Sequence, residues 1–561
     1  MTVLIYDQTC AAEKRRRRKR GKMVDPPKRA FINDAVCEGC GDCSKTSNCL
    51  SVVPIETEFG TKREIDQSSC NKDFSCVEGF CPSFVTVHGG ALRKNKAAAA
   101  GSDGFGPLPV PALPALDRPY GILVTGVGGT GVVTIGALLG MAAHLEGRGV
   151  SVLDMTGLAQ KGGSVFSHIR IARTPEDIAA VRIAAGGADL LLGCDFLVAA
   201  ATDSLAKVEK GTTRAFVNQT ETIIGSFVRN PDLKFPTDDT RHALVDAVGR
   251  DAIEFLDANR LAVGLLGDSI AANLFMLGYA WQKGTVPVSA EAIDQAIELN
   301  AVAVEFNKKS FLWGRRAAVD LAAVDAVATP KQAATGSRRV SQSLDEIIER
   351  RVAELTAYQN AAYAGRYRAL VGRVRQAESE RTPGRSGLGE AVARNLAKLM
   401  AYKDEYEVAR LYTDGEFLRK LHERFDGDFK LQFHLAPPLL AEQDPTSGHL
   451  KKKTYGPWML QAFGLLAHFK GLRGTAWDPF GRTEERRTER RLIGEYVAIV
   501  EEILSRLDQD NHQTAVELAR IPARIRGFGH VKAANLAEAK TAEAALLAAF
   551  RTAAAVAVAA E

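Results

Sequence analysis

From Tyr120 to about Ala328, apolar runs of strand length alternate with helix-like segments. Ile122 to Val124, Val150 to Leu153, Val165 to Ile171, Asp189 to Leu192, Phe196 to Ala200 and Arg214 to Asn218 are such runs. That alternation predicts an α/β domain with a mainly parallel sheet. The texture changes after the polar stretch from Thr329 to Arg339. Ser343 to Glu346 reads as a capping box, and a long charged amphipathic helix is expected through roughly Arg375. Most of the remainder to Phe550 reads as helix, broken at Pro383, Pro437-Pro438, Pro457, Pro479 and Pro522. The Ala-rich end, Lys532 to Ala560, is helical in propensity. At the other end, Val3 to Tyr6 reads as a short buried strand, which must join a sheet built elsewhere and so implies a neighbour. Pro107, Pro109, Pro111, Pro114 and Pro119 follow Ala97 to Ala100 and mark a stiff linker at a domain boundary.

With 561 residues, there is chain enough for about three domains, each burying its own core. The content, 46% hydrophobic and 25% charged, is that of a soluble globular protein. The net charge of +5 is slight, and much of it is one run, Lys14 to Arg20. No aromatic residue interrupts that run to stack on bases, so it reads as a solvated docking arm rather than a nucleic-acid site. Gly121 to Ala143 has no charged residue but holds seven glycines, which suits a buried strand, turn and helix better than a membrane span. No secretory signal is visible, and a cytoplasmic protein is expected.

Seven of the nine cysteines lie between Cys37 and Cys81. An odd count concentrated in one short segment points to metal ligation in a reducing compartment, not to a disulfide scaffold. Cys37, Cys40 and Cys43 are separated by two-residue gaps, and Cys81-Pro82 closes the segment. Zinc knuckles pair C-x2-C units, whereas a triple with a later Cys-Pro is the pattern of 4Fe–4S ferredoxins. The fourth cysteine of such a motif serves the other cluster, so Cys37, Cys40, Cys43 and Cys81 are the candidate ligands of a first cluster. Cys49, Cys70 and Cys76 remain for a second, with Asp73 in the slot where a ferredoxin has cysteine. Either Asp73 ligates iron or leaves a labile corner, or there is one cluster and the other cysteines pack a loop.

Gly126, Gly128, Gly129 and Gly131 follow an apolar run and open a helical one, the context in which backbone N–H groups approach a phosphate. Asp154 ends the next strand and suits a ribose hydroxyl. The short stretch from Met155 to Gly163 leaves little room for a second crossover helix, so a tight turn serving the fold, an interface or another phosphate-bearing ligand is the stronger reading. No H-E-x-x-H or G-x-S-x-G is present, and no catalytic residue can be named.

Together these parts resemble the C-terminal half of the fused bacterial indolepyruvate ferredoxin oxidoreductases, members of the 2-oxoacid:ferredoxin oxidoreductase family. Val3 to Gly21 is similar to the closing strand and tail of the family's thiamine-diphosphate domain, and Cys37 to Pro82 to its ferredoxin insert. Gly126 to Gly131 with Lys161-Gly162-Gly163 resembles its gamma, or catalytic, domain, although Arg is the usual residue at Lys161. The helical region after Ser343 is similar to the family's C-terminal extension.

The resemblance implies a multidomain α/β plus α protein. Residues 1–30 are a thiamine-domain remnant with a basic arm, 31–90 a ferredoxin-like iron–sulfur module and 91–118 a linker. Residues 119–328 are a doubly wound gamma-type domain, and 341–561 a mostly helical domain. It further implies oxidative decarboxylation of an aryl pyruvate on thiamine diphosphate, with coenzyme A as co-substrate. Electrons then pass singly through one or two 4Fe–4S clusters to ferredoxin. The Gly-Asp-Gly motif that binds magnesium and the later Asn-Asn are missing from the sequence. Thiamine diphosphate and magnesium are therefore expected on a partner half, with this chain a fragment or separately encoded half, part of an oligomer and inactive alone. Two alternatives are a self-contained iron–sulfur oxidoreductase using a nicotinamide or flavin at the glycine-rich turn, and a non-enzymatic iron–sulfur scaffold.

Overall fold

The structure, a computed structural model, describes residues 3–4, 9–93, 105–157, 163–222, 225–329, 339–437, 441–445 and 448–560. The chain forms two compact bodies. One comprises Met1–Asp25, Gln67–Asn71 and Lys94–Ala333, and the other Pro26–Asp66, Lys72–Arg93 and Ala334–Glu561. Of the buried strand expected at Val3 to Tyr6, Ile5 and Tyr6 lie outside the described residues, whereas Val3 and Leu4 are exposed and form no strand; the basic run that follows lies on a helix, Ala11–Lys19.

The second body starts with β1 (Lys28–Ile32), the hairpin β2 (Val52–Ile55) and β3 (Lys62–Ile65), and β4 (Phe84–Leu92). In the first body, β5 (Tyr120–Val127), β6 (Gly149–Thr156), β7 (Ser164–Ala172), β8 (Leu190–Gly193), β9 (Arg214–Asn218) and β10 (Ile253–Leu256) form one sheet in the order β10-β9-β8-β5-β7-β6. Its centre is fully buried: Ile122, Leu123 and Val124 on β5 and Leu190, Leu191 and Leu192 on β8 expose nothing. Helices Ala272–Gln282 and Val304–Val319 cross where Gly278 lies against the Phe311 carbonyl and Gly314 against that of Phe275, leaving no space for a Cβ at either glycine.

The sheet keeps the expected parallel majority but is mixed, because one strand is reversed. β10, β9, β8 and β5 run parallel, whereas β7 is antiparallel to both β5 and β6. A parallel neighbour needs a crossover of a dozen or more residues, which the short β6–β7 connection cannot supply. Phe196 to Ala200 is not a strand either. Phe196–Ala199 is a helical turn, started by the Asp195 carboxylate accepting the Val198 N–H at 3.0 Å.

The helical region is interrupted by β11 (Phe425–Leu435) and β12 (Lys453–Tyr455), which extend the cysteine module's sheet to β1-β4-β11-β12, antiparallel throughout. The ferredoxin-like and helical segments, expected as separate domains, thus share one sheet and one core. Val85 and Val87 of β4 are buried with Tyr412, Phe417, Phe425 and Phe433. Tyr412 stacks on Phe463 at 5.2 Å and meets Phe417 edge-on at 4.8 Å. The long helix expected after Ser343 is two helices, Leu344–Tyr358 and Ala361–Arg381. Asn360 divides them, its side chain capping the second by accepting the Tyr363 N–H at 2.9 Å. Among the described residues, no helix is long and apolar enough to cross a membrane.

Glu58, in the loop between β2 and β3, fastens the module to the helices. It is 1% exposed, pairs with Arg351 at 3.1 Å and Arg350 at 3.0 Å, and accepts the Ser341 N–H at 2.7 Å. Burial alone would raise its pKa. The Ser341 bond and the arginines outweigh burial and hold the carboxyl below its ordinary range. Its stabilising contribution is therefore present above the ordinary carboxylate pKa and is lost as pH falls through the depressed value. Glu58→Ala leaves Arg351 buried without this carboxylate. The expected cost is about 3–5 kcal/mol, read as a lower guanidinium midpoint for the transition of this body. A cost under about 1 kcal/mol would contradict the role given to Glu58.

Candidate functional site

The cysteine loop leaves β1 at Ile32 and turns on Asn33, whose N–H donates to the Ser83 carbonyl at 2.8 Å and whose carbonyl accepts the Cys37 N–H at 3.0 Å. The two-residue gaps contain Gly39 at φ +68° and Gly41 at φ +78°, conformations that let the loop curl around its own thiols. Cys43 lies in the first turn of helix Asp42–Ser47. Cys81 arrives from a separate segment, after the 3-10 turn Ser75–Glu78 and just before β4. The segments meet at Gly79, where a Cβ would lie 2.8 Å from the Cys43 Cα.

Cys37, Cys40, Cys43 and Cys81 carry free thiols and line one small pocket together with Ile32 and Phe84. Burial, reinforced by Cys81 nearby, pushes the Cys40 thiol up to about 12. Burial and Cys81 likewise push Cys43 up, and burial raises Cys81 against the opposing charge of Lys452. Such thiols stay protonated until a metal takes them, so loading releases protons. Among the described residues, no three His, Cys, Asp or Glu side chains form a site for a single metal ion. An iron–sulfur cube instead binds each thiolate at a separate corner, and four thiols around one buried pocket suit its donor set.

The second candidate set is less concentrated. Cys49 and Cys76 are buried in this body, with the Cys49 sulfur 3.4 Å from the Ser51 N–H and Cys76 close enough to bear on the Cys43 thiol. Asp73 is exposed, and its carboxylate accepts from the Ser75 N–H at 3.2 Å and hydroxyl at 2.9 Å. Cys70 belongs to the other body.

In that body, Gly126 lies under the helix Val132–Leu145, where a Cβ would come within 2.6 Å of Val132. Gly129 and Gly131 have φ of +84° and +101°, and the Gly128 N–H is engaged by the Gly163 carbonyl at 2.8 Å. Beside the turn is a cleft of about 740 Å³, lined also by Arg15, Arg16, Arg20, Asn273 and Phe306. Arg15 lies 3.4 Å from the Asp268 carboxylate, and Arg16 pairs with Glu13 at 2.6 Å. Lys161 and Gly162 lie outside the described residues. Asp154 is exposed on β6, which β7 separates from β5, so the parallel neighbouring strand of a dinucleotide site is missing.

Three cations that sequence reasoning did not single out donate to backbone carbonyls of the cysteine loops. Lys403 donates to the carbonyls of Val36 at 3.3 Å and Cys37 at 3.2 Å. Lys452 donates to those of Val77 and Gly79, both at 2.7 Å, and Arg526 to that of Gly39 at 3.4 Å. No local motif could reveal them, because they lie more than 300 residues further along the chain.

Residues 121–317 match the family described as pyruvate ferredoxin/flavodoxin oxidoreductase, and residues 344–545 a family described as being of unknown function, DUF6537. The chain is 30% identical over 206 residues to indolepyruvate oxidoreductase subunit IorB of Pyrococcus horikoshii, covering 36% of this chain and 98% of the relative. The same subunit of Thermococcus kodakarensis is 29% identical over 206 residues, again 36% and 98%. Pyruvate oxidoreductase subunit PORC of Thermotoga maritima, a solved structure, aligns at 21% identity with a TM-score of 0.26, covering 36% of this chain and 97% of its own.

The pocket geometry makes a discriminating prediction. Cys40→Ser should lower bound iron by about four atoms per chain, whereas Cys194→Ala, in the core of the other body, should leave iron unchanged. Equal iron in Cys40→Ser and the unaltered chain, measured by colorimetric assay after anaerobic isolation, would contradict the ligand assignment.

Proposed function

Because the chain belongs to the 2-oxoacid:ferredoxin oxidoreductase family, we propose that it is the electron-transfer and gamma-domain part of an indolepyruvate ferredoxin oxidoreductase. One observation carries the reading: Cys37, Cys40, Cys43 and Cys81 line one buried pocket in a chain whose 121–317 segment matches this family. The four thiols would hold a 4Fe–4S cluster, which takes up and releases single electrons. In the other body, Arg15, Arg16 and Arg20 line an open cleft together with the tight glycine turn. With the Gly128 N–H already engaged, these arginines are the groups to meet an anionic co-substrate such as coenzyme A.

The sequence lacks the Gly-Asp-Gly and Asn-Asn motifs of a thiamine site, so the carbanion chemistry is assigned to a thiamine-diphosphate-binding partner. This chain's residues would then carry the electrons onward to ferredoxin in a soluble, cytoplasmic assembly. The position of β7 between β5 and β6 disfavours a self-contained nicotinamide or flavin enzyme.

The test is anaerobic reduction followed in the visible spectrum. Indolepyruvate with coenzyme A should bleach the chain only after a thiamine-diphosphate-binding chain is added. Bleaching by NADH in the absence of any partner would overturn the reading.

A further inference from the structure

The helical region that matches a family of unknown function does more than pack against the cysteine module. Its three cations, Lys403, Lys452 and Arg526, end on carbonyls of the segments that carry Cys37, Cys40 and Cys81. Its backbone also closes the site. Gly527, at φ +102°, lies so near Cys40 that a Cβ would be 3.4 Å from the cysteine's own, and Tyr412 donates its hydroxyl to the Pro82 carbonyl at 2.7 Å.

The cations are not equivalent. Lys403 pairs with Glu38 at 2.7 Å, so its charge is largely offset locally. Among the described residues, no carboxylate forms an ion pair with Lys452, whose ammonium reaches the Val77 and Gly79 carbonyls in the segment that carries Cys81. Each electron added to a thiolate-bound cluster makes the site more negative by one charge. A fixed positive charge at short range in a low-dielectric surround favours that added electron.

Resting on the reading that these four cysteines hold a cluster, we infer that the helical region acts as an electrostatic sleeve, with Lys452 raising the reduction potential of that cluster. Lys452 is a tuning residue: it touches the loop carbonyls and acts on the cluster through its charge. The step is a one-electron reduction, with the electron supplied by dithionite in the test and by the oxo-acid reaction in the assembly.

The experiment is a potentiometric titration of the full chain followed by EPR, with iron content measured on each sample. Lys452→Met should retain the cluster and show a tenfold lower ratio of reduced to oxidised cluster at a fixed potential, a midpoint about 59 mV lower. Lys452→Arg should restore most of the shift. Lys452→Gln keeps a donor for the carbonyls without the charge, so it covers the case in which the methionine variant loses its loop. A cluster-loaded glutamine or methionine variant with an unaltered midpoint overturns the inference and leaves the cluster assignment standing. An unaltered chain that holds no cluster overturns the underlying assignment, and the inference with it.

Discussion

The pairing of β11 with β4 is the contact on which the second body depends. β4 receives the chain directly after Cys81-Pro82, and without β11 it would have only the five-residue β1 beside it. A two-stranded ribbon is marginal in water, whereas three or more strands with an apolar face are self-sustaining. Register places Leu431 opposite Val87 and Phe433 opposite Val85, so one face of the extended sheet becomes the core shared with Tyr412, Phe417 and Phe463. Tyr412 joins that core from the helix Glu405–Thr413, which begins just after Lys403. Sheet and core thus join the cysteine module to the helical region.

Electrostatics explains why the pocket needs that region. Buried thiols resist ionisation, and Cys40 and Cys43 resist it more strongly because a neighbouring thiolate at Cys81 would oppose theirs. An anionic centre in such a place requires compensation from groups the loop does not carry. Around Glu38 the balance is visible: burial would raise its pKa, but Lys403, Lys62 and Lys398 outweigh burial and hold it well below the carboxylate range. Burial in turn lowers Lys398 to about 7 and Lys62 to about 8. The charged neighbourhood of the cysteine loop is therefore cooperative, built by the module and the helices together.

What could be read from the sequence was local. The grouping of Cys37, Cys40 and Cys43, which line one pocket with Cys81, was legible because these three cysteines are neighbours in the chain. The glycine turn before Val132 was legible because strand, turn and helix are contiguous. The short interval after Asp154 already told against a second crossover helix, and the antiparallel β7 is its structural expression. Phe196 to Ala200 misled because a short apolar run fits strand or helix equally well, and the Asp195 cap decides between them. β10 escaped notice because Glu254 interrupts its apolar pattern. The charges on Lys403, Lys452 and Arg526 were illegible for a different reason. Nothing local marks a lysine whose partners are hundreds of residues away, and the exposed neighbours Lys451 and Lys453 disguise Lys452 as part of a solvated run.

The central claim is that two distant stretches of one chain build a buried, thiolate-lined redox centre. Mössbauer and EPR spectroscopy of the unaltered chain, isolated without oxygen from cells grown on iron-57, tests it most directly. Spectra of a thiolate-bound 4Fe–4S cube, reducible by one electron to a paramagnetic state, are the expected result. A chain that binds only zinc, or iron that never assembles into a cluster, would contradict it.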